Sequence, residues 1–199
     1  MVVGIEINEV IRDFIGQLEY TYNKYIEDAD INIEANPVTS FNLIEHFPFK
    51  STEELNKFLY QDAALEIFGH ADELEHNLIN QLNLFIMDMK DLEGHEIILV
   101  TREAMTAIPA TFFFLSKKAC KCENIKFLQS YADEWNDVDI LITANPEALI
   151  SKPSGKISVK VKTTYNENVN ADFEIKSLFD FMLDDQLRNK IITTKLKNC

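Results

Sequence analysis

Short apolar runs alternate with longer amphipathic stretches along this chain, and the two periods predict its elements in order. VVGIEI (2–7) is β-branched, apolar and bounded, which predicts a buried strand. From Glu9 to about Glu27, Val10, Phe14, Leu18, Tyr22 and Tyr25 recur at helical spacing. Residues 30–50, with Pro37, Pro48 and little periodicity, read as a loop-rich excursion. STEEL (51–55) predicts a helix start, because Ser51 or Thr52 can cap and Glu54 stands in capping-box register with Ser51. A break at FGH (68–70) precedes a long helix over about 71–92. Leu74, Leu78, Leu82, Phe85 and Met89 lie along one side of it, and Gly94 ends it.

HEIILVT (95–101) predicts a second strand, and Pro109 sits in the first turn of a helix running to about Lys118. NIKFL (124–128), DVDILIT (137–143) and KISVKV (156–161) predict three more strands, and IKSLFDFML (175–183) a closing helix. Strands alternating with helices indicate an α/β fold, a Rossmann-like parallel sheet. About ninety residues separate the first two strands, far more than one crossover needs. A helical cap inserted after the first strand accounts for them. The expected division is a core of residues 1–14 and 76–185, a cap over 15–75 and a basic C-terminal tail over 186–199.

Charge changes this picture in one respect. The net charge of −14 argues against general affinity for nucleic acid or an anionic membrane. Residues 186–199, however, hold Arg188, Lys190, Lys195 and Lys197 and no acid. Such a segment reads as a solvated end or as a docking element for an acidic protein partner, a neighbouring copy included. Three cysteines, Cys120, Cys122 and Cys199, do not suggest a disulfide framework, and Cys-x-Cys with no second pair at ligand spacing is a weak zinc signal. No signal peptide is read after Met1, and no run reaches the roughly 18 apolar residues of a membrane span. A soluble, cytoplasmic protein with reduced thiols is the expectation.

The strand ends carry the candidate chemistry. The first strand leads into Glu6-Ile7-Asn8-Glu9, the second ends in Thr101, and the fourth runs through Thr143-Ala144 into Asn145-Pro146. This layout, with the helical insertion, resembles the haloacid dehalogenase-like hydrolases, and within them the small 5'-(deoxy)ribonucleotidase branch with its phage relatives. The resemblance covers the chain up to about residue 185. It places Glu6 at the nucleophile position, Asn8 at the acid/base position and Thr101 at the phosphate-binding strand end. Thr143 and Ala144 then stand where paired acids hold magnesium. The family's lysine, about ten residues before those acids, has no counterpart in SYADEW (130–135); Lys126 is the nearest candidate, with Lys117 and Lys118 more remote.

The chemistry such a site needs is in large part missing. Phosphoryl transfer requires an in-line carboxylate, a proton donor for the leaving oxygen, and magnesium and a lysine to offset charge. Glu6 carries an extra methylene that moves its oxygen by on the order of 1 Å, and such misplacement can cost about 10²-fold. Asn8 cannot transfer a proton, a loss typically of about 10²–10⁴-fold. Thr143 and Ala144 offer no anionic ligand, and magnesium is usually anchored by carboxylates.

With these losses the resemblance implies a catalytically inactive member, without a cofactor, that acts as a structural or protein-interaction component. A low Gly and Pro content and many Asn, Ile, Lys and Phe suggest a phage of AT-rich bacteria. A virion ring or connector, or an assembly subunit, is then the concrete role, with other phage proteins or further copies as partners, in the host cytoplasm or the virion. The alternative is a divergent magnesium-dependent 5'-nucleotidase or small-molecule phosphatase using Glu6. A third reading is a binding module that keeps phosphate affinity through Thr101 and backbone amides.

Other residues have plainer readings. Glu6 and Asn8 can satisfy backbone donors nearby, and Thr101 can cap the following segment. His46, His70, His76 and His95 share no ligand spacing and read as surface or loop histidines. Asp137 and Asp139 precede their strand, at the amino end where α/β sites are not found, and read as solvated. Phe112-Phe113-Phe114-Leu115 is apolar all round a helix and reads as core.

Overall fold

The computed structural model describes residues 1–25, 38–91, 94–104 and 106–197. In chain order its elements are β1 (Val2–Glu6), α1 (Phe14–Tyr25), α2 (Thr52–Lys57), α3 (Leu78–Asp91), β2 (Glu96–Thr101), α4 (Ala107–Lys117), β3 (Ile125–Phe127), β4 (Ile140–Thr143), α5 (Pro146–Ile150), β5 (Ile157–Val161), β6 (Phe173–Ile175), α6 (Leu178–Leu183) and α7 (Asp185–Lys197). Two π-helical turns, Phe58–Asp62 and Leu65–Gly69, follow α2, and 3₁₀ turns span Leu43–Glu45 and Tyr131–Trp135.

All six strands are parallel, in the order β3-β2-β1-β4-β5-β6. This is the doubly wound, Rossmann-like order, whose switch point lies between β1 and β4. Strand alternation divides the interior. Val3, Ile5, Leu99, Ile140 and Ile142 belong to a core shared with α3, α4, α6 and α7, while Ile98, Val100 and Leu141 meet Trp135, Val138 and Ala148. Gly4 is needed on that second side: a Cβ there would stand 2.6 Å from Val138 Cγ1. A separate apolar cluster joins Leu18, Tyr22, Phe47, Phe58, Ile67 and Phe68 to Ala107 and Ala110 of α4. The segment between β1 and β2 thus carries its own apolar centre and is anchored on the core through α4.

Several elements differ from the sequence reading for identifiable reasons. Helix α1 starts at Phe14, not Glu9, because Glu9 takes a left-handed φ of 58° and residues 7–12 close a compact turn in which Ile11 and Arg12 donate to the Ile7 carbonyl. Val10 fits the helical stripe and is buried, but from that turn. Residues 71–77 are not helical. Leu74 donates to the Ile11 carbonyl and Asp13 to that of Asp72, Asn77 has a φ of 68°, and α3 begins only afterwards. Ser51 caps α2 as expected, accepting from the Glu54 amide, while Glu54 reaches back to the Lys50 amide. Part of the predicted loop over 30–50, with Pro37, and the predicted end of the long helix at Leu92 lie outside the described residues.

The tail is the largest correction. It is a helix, α7, with Ile191 and Ile192 buried in the main core. Two of its basic side chains are spent within the chain. Arg188 donates to the Met182 carbonyl at 2.9 Å and lies over the Phe85 ring, and Lys195 donates to the Gly155 carbonyl at 2.7 Å and pairs with Asp139 at 3.3 Å. Lys190 is exposed, with its ammonium 5.8 Å from the Phe173 ring, and Lys197 is the last residue of α7. Asp139 is correspondingly not a solvated acid: its other oxygen accepts from the Val2 amide at 3.0 Å, tying the first strand to the last helix. Burial works to raise its pKa, but the Val2 amide and Lys195 together hold it below the usual carboxylate value. The aromatic run on α4 is also divided, with Phe114 and Leu115 buried and Phe112 and Phe113 49% and 43% exposed. No described helix is long and apolar enough to cross a membrane.

Candidate functional site

The carboxyl ends of β1, β2 and β4 converge at the switch point, where open α/β sheets place their ligands. There Glu6 closes β1, and its Oε2 accepts from the Thr143 hydroxyl and from the Ala144 amide at 3.2 Å. Thr143 in turn accepts from the Asn145 amide at 2.9 Å. The nucleophile position and the two positions aligned with the paired acids therefore bond to one another. Burial raises the Glu6 carboxyl from 4.5 to about 7, against the lowering effect of these donors.

Asn8 is committed elsewhere. Its Oδ1 accepts from Arg12 Nε at 2.9 Å, and Arg12 is fully buried. The same guanidinium bonds to Glu103, donates to the Phe68 carbonyl at 2.9 Å and to Thr111 Oγ1 at 2.7 Å, and lies between the rings of Phe68 and Phe114. Desolvation lowers its pKa, and Glu103 opposes that. Thr101 caps nothing: its hydroxyl donates to Glu103 Oε1 at 3.0 Å and helps hold that carboxylate on Arg12. Phe68 belongs to the inserted segment and Thr111 to α4, so this network fastens the insertion to the sheet.

Above Glu6 lies a cavity of about 110 Å³. Its walls include Glu6, Glu9, Arg102, Asn145, Tyr131 and Tyr165, with Phe41 of the insertion packed against both tyrosines at centroid distances of 5.6 and 5.8 Å. Glu9 accepts from the Ile15 amide at 2.8 Å, and burial raises its carboxyl to about 7. The Tyr131–Trp135 turn is fixed by reciprocal bonds between Ser130 and Asp133. It sets Tyr131 and Glu134 three apart, on one side of a 3₁₀ turn. Glu134 is buried and its carboxylate has no hydrogen-bond partner among the described residues; burial and the Glu6 charge raise it to about 10, with Arg102 opposing. Tyr131 is raised by burial to about 12 although Arg102 lies over its ring at 4.5 Å.

None of the lysines weighed for the site reaches it. Lys126 pairs with Asp137, Lys118 with Asp72 and Glu73, and Lys117 is exposed at the end of α4. The cation at the rim is Arg102, directly after Thr101, which sequence reasoning missed together with Arg12, Glu103, Glu134 and the tyrosines. Two of these had a signal: Arg12 lies four residues from Asn8, and Glu134 stands in the window where the lysine was sought.

Magnesium, which the resemblance implies, does not fit the donors present. Where paired acids would anchor it stand a threonine bonded to Glu6 and an alanine, and no three His, Cys, Asp or Glu side chains converge as ligands among the described residues. The cysteines and histidines build no such cluster either: Cys122 is buried, His70 stacks on Phe113, and Cys199 lies outside the described residues. No protein-family model matches the chain, and no curated protein matches its sequence.

Proposed function

We propose that this chain is a haloacid dehalogenase-like scaffold that has given up phosphoryl transfer and serves as a structural or protein-interaction component. The observation that carries this reading is the state of Glu6. A nucleophile must present a free carboxylate oxygen toward phosphorus, whereas this one is buried and bonded to Thr143 and Ala144, where the magnesium acids would stand. Asn8 supports the same reading, since its oxygen holds Arg12. The cavity supports it too, because about 110 Å³ is well below the roughly 300–1,000 Å³ of usual ligand pockets.

An assembly role, such as a virion ring or connector subunit joined to copies of itself or to other phage proteins, is the concrete form of this proposal. Apolar side chains at the surface give partners a hold: Phe112 and Phe113 on α4, Ile150 on α5, and Leu183 and Leu196 near the C-terminus. The basic residues of α7 are a smaller part of that surface than their number suggests, because Arg188 and Lys195 act within the chain.

The test compares wild type with a variant combining Glu6→Asp, Asn8→Asp and Thr143→Asp, assayed with magnesium against deoxynucleoside monophosphates. The expected result is no turnover in wild type and measurable turnover in the folded variant. Turnover in wild type at or above that of the variant overturns the proposal. An inactive, folded variant beside inactive wild type removes the phosphatase ancestry and leaves the scaffold.

A further inference from the structure

The cavity above Glu6 has features that a spent phosphatase site does not need. Its floor holds two carboxyl groups, Glu6 and Glu9, bonded to hydroxyl and amide donors and to no cationic side chain. Its walls are aromatic, and tyrosine and phenylalanine faces attract ammonium groups. A second observation is independent of the acids. Asn145 is 1% exposed and lines the cavity; its Oδ1 caps α5 by accepting from the Glu147 amide at 2.9 Å, while its Nδ2 has no partner among the described residues. A buried amide of this kind calls for an acceptor. At the rim, the exposed Arg102 lines both this cavity and an open groove of about 680 Å³, which gives a way in.

We propose that this cavity binds a small amino compound that carries an oxygen acceptor beside its ammonium group, an amino acid or an amino alcohol. The ammonium sits against Glu6 and Glu9 under the rings of Tyr131 and Tyr165, and the oxygen takes the Asn145 amide. A carboxylate, where present, reaches Arg102. Size agrees: about 110 Å³ equals roughly four waters at about 30 Å³ each, room for a molecule of about four or five heavy atoms. An oxyanion alone fits poorly, since it would face two carboxyls with one arginine at the rim. The inference does not depend on whether the fold ever hydrolysed phosphate esters.

The test is calorimetric titration of the full chain at pH 8, above the value of about 7 to which burial raises Glu6 and Glu9. The probes are glycine, serine, ethanolamine, methylamine, acetate and inorganic phosphate. Glycine, serine or ethanolamine should bind saturably, methylamine at least about tenfold more weakly, and acetate and phosphate not at all. Glu9→Gln, whose amide oxygen can still accept from Ile15, should weaken the best ligand at least about tenfold in a protein with wild-type circular dichroism. Arg102→Gln should weaken glycine and serine but spare ethanolamine. No binding of any amine at millimolar concentration, tighter binding of acetate or phosphate, or unchanged affinity in Glu9→Gln each overturns the proposal.

Discussion

Replacing Arg12 by methionine tests what holds the inserted segment to the sheet. The arginine is fully buried, and its guanidinium serves Glu103, Asn8, Thr111 and the Phe68 carbonyl while packed between two phenylalanine rings. Methionine retains much of the apolar stem but leaves the Glu103 carboxylate buried without its counter-ion. Breaking one side of a buried ion pair costs about 3–5 kcal/mol. With a urea m-value of about 2 kcal/mol/M, the unfolding midpoint should fall by about 2 M. The loss is not the net worth of the pair, because most of it is the stranded charge. Arg12→Met combined with Glu103→Leu should therefore recover about 1–3 kcal/mol relative to the sum of the single changes. The assay is urea unfolding followed by circular dichroism for the four proteins of the cycle. An Arg12→Met midpoint within error of wild type, or strict additivity in the double variant, would refute the argument that this pair fastens the insertion.

Two more expectations concern other parts of the molecule. Glu6 has its carboxyl raised from 4.5 to about 7, so the folded state holds this proton more tightly than the unfolded chain. Its stabilising contribution is full below about pH 4.5 and disappears as pH rises through 7, a change of about 3 kcal/mol. Glu6→Gln should remove that slope and leave the protein more stable than wild type at pH 8, as thermal melts from pH 5 to 8 would show; a variant less stable than wild type at pH 8 contradicts it. Ile191→Ala on α7 should cost about 2–5 kcal/mol, because the side chain is fully buried, whereas a solvated tail would register no change in the same melts.

The sheet was legible in the sequence because its central strands are short β-branched runs buried on both faces, and period and bounds are unambiguous for such segments. β6 was missed because Phe173–Ile175 is a three-residue edge strand with a glutamate at its centre. α7 was missed because its apolar stripe is thin, with Ile191 and Ile192 set among polar and basic residues, and only the docking surface on α6 and β5 decides its state. Helix starts at Glu9 and Ala71 failed for a related reason. Both stretches fit a helical period, but the segments around Arg12 and Glu73 pair with each other across the chain, and tertiary pairing overrides local preference.

The site was legible in part. The positions expected at the strand ends, Glu6, Thr101, Thr143 and Ala144, do come together, and Asn8 lies beside them. What could not be read was their use. Glu6 bonds to Thr143, and Asn8 and Thr101 both serve Arg12 and Glu103, because a buried arginine draws every nearby acceptor to itself. The tyrosines and Arg102 come from four separate segments, and nothing in their local sequence marks them as neighbours.

The central claim is that Glu6 holds the strand ends together rather than attacking phosphorus. Its most direct test is magnesium-dependent hydrolysis of a deoxynucleoside monophosphate panel by wild type beside Glu6→Gln. The account predicts no turnover by either, with Glu6→Gln folded and at least as stable at pH 8. Turnover by wild type that Glu6→Gln abolishes would contradict it and make Glu6 a nucleophile.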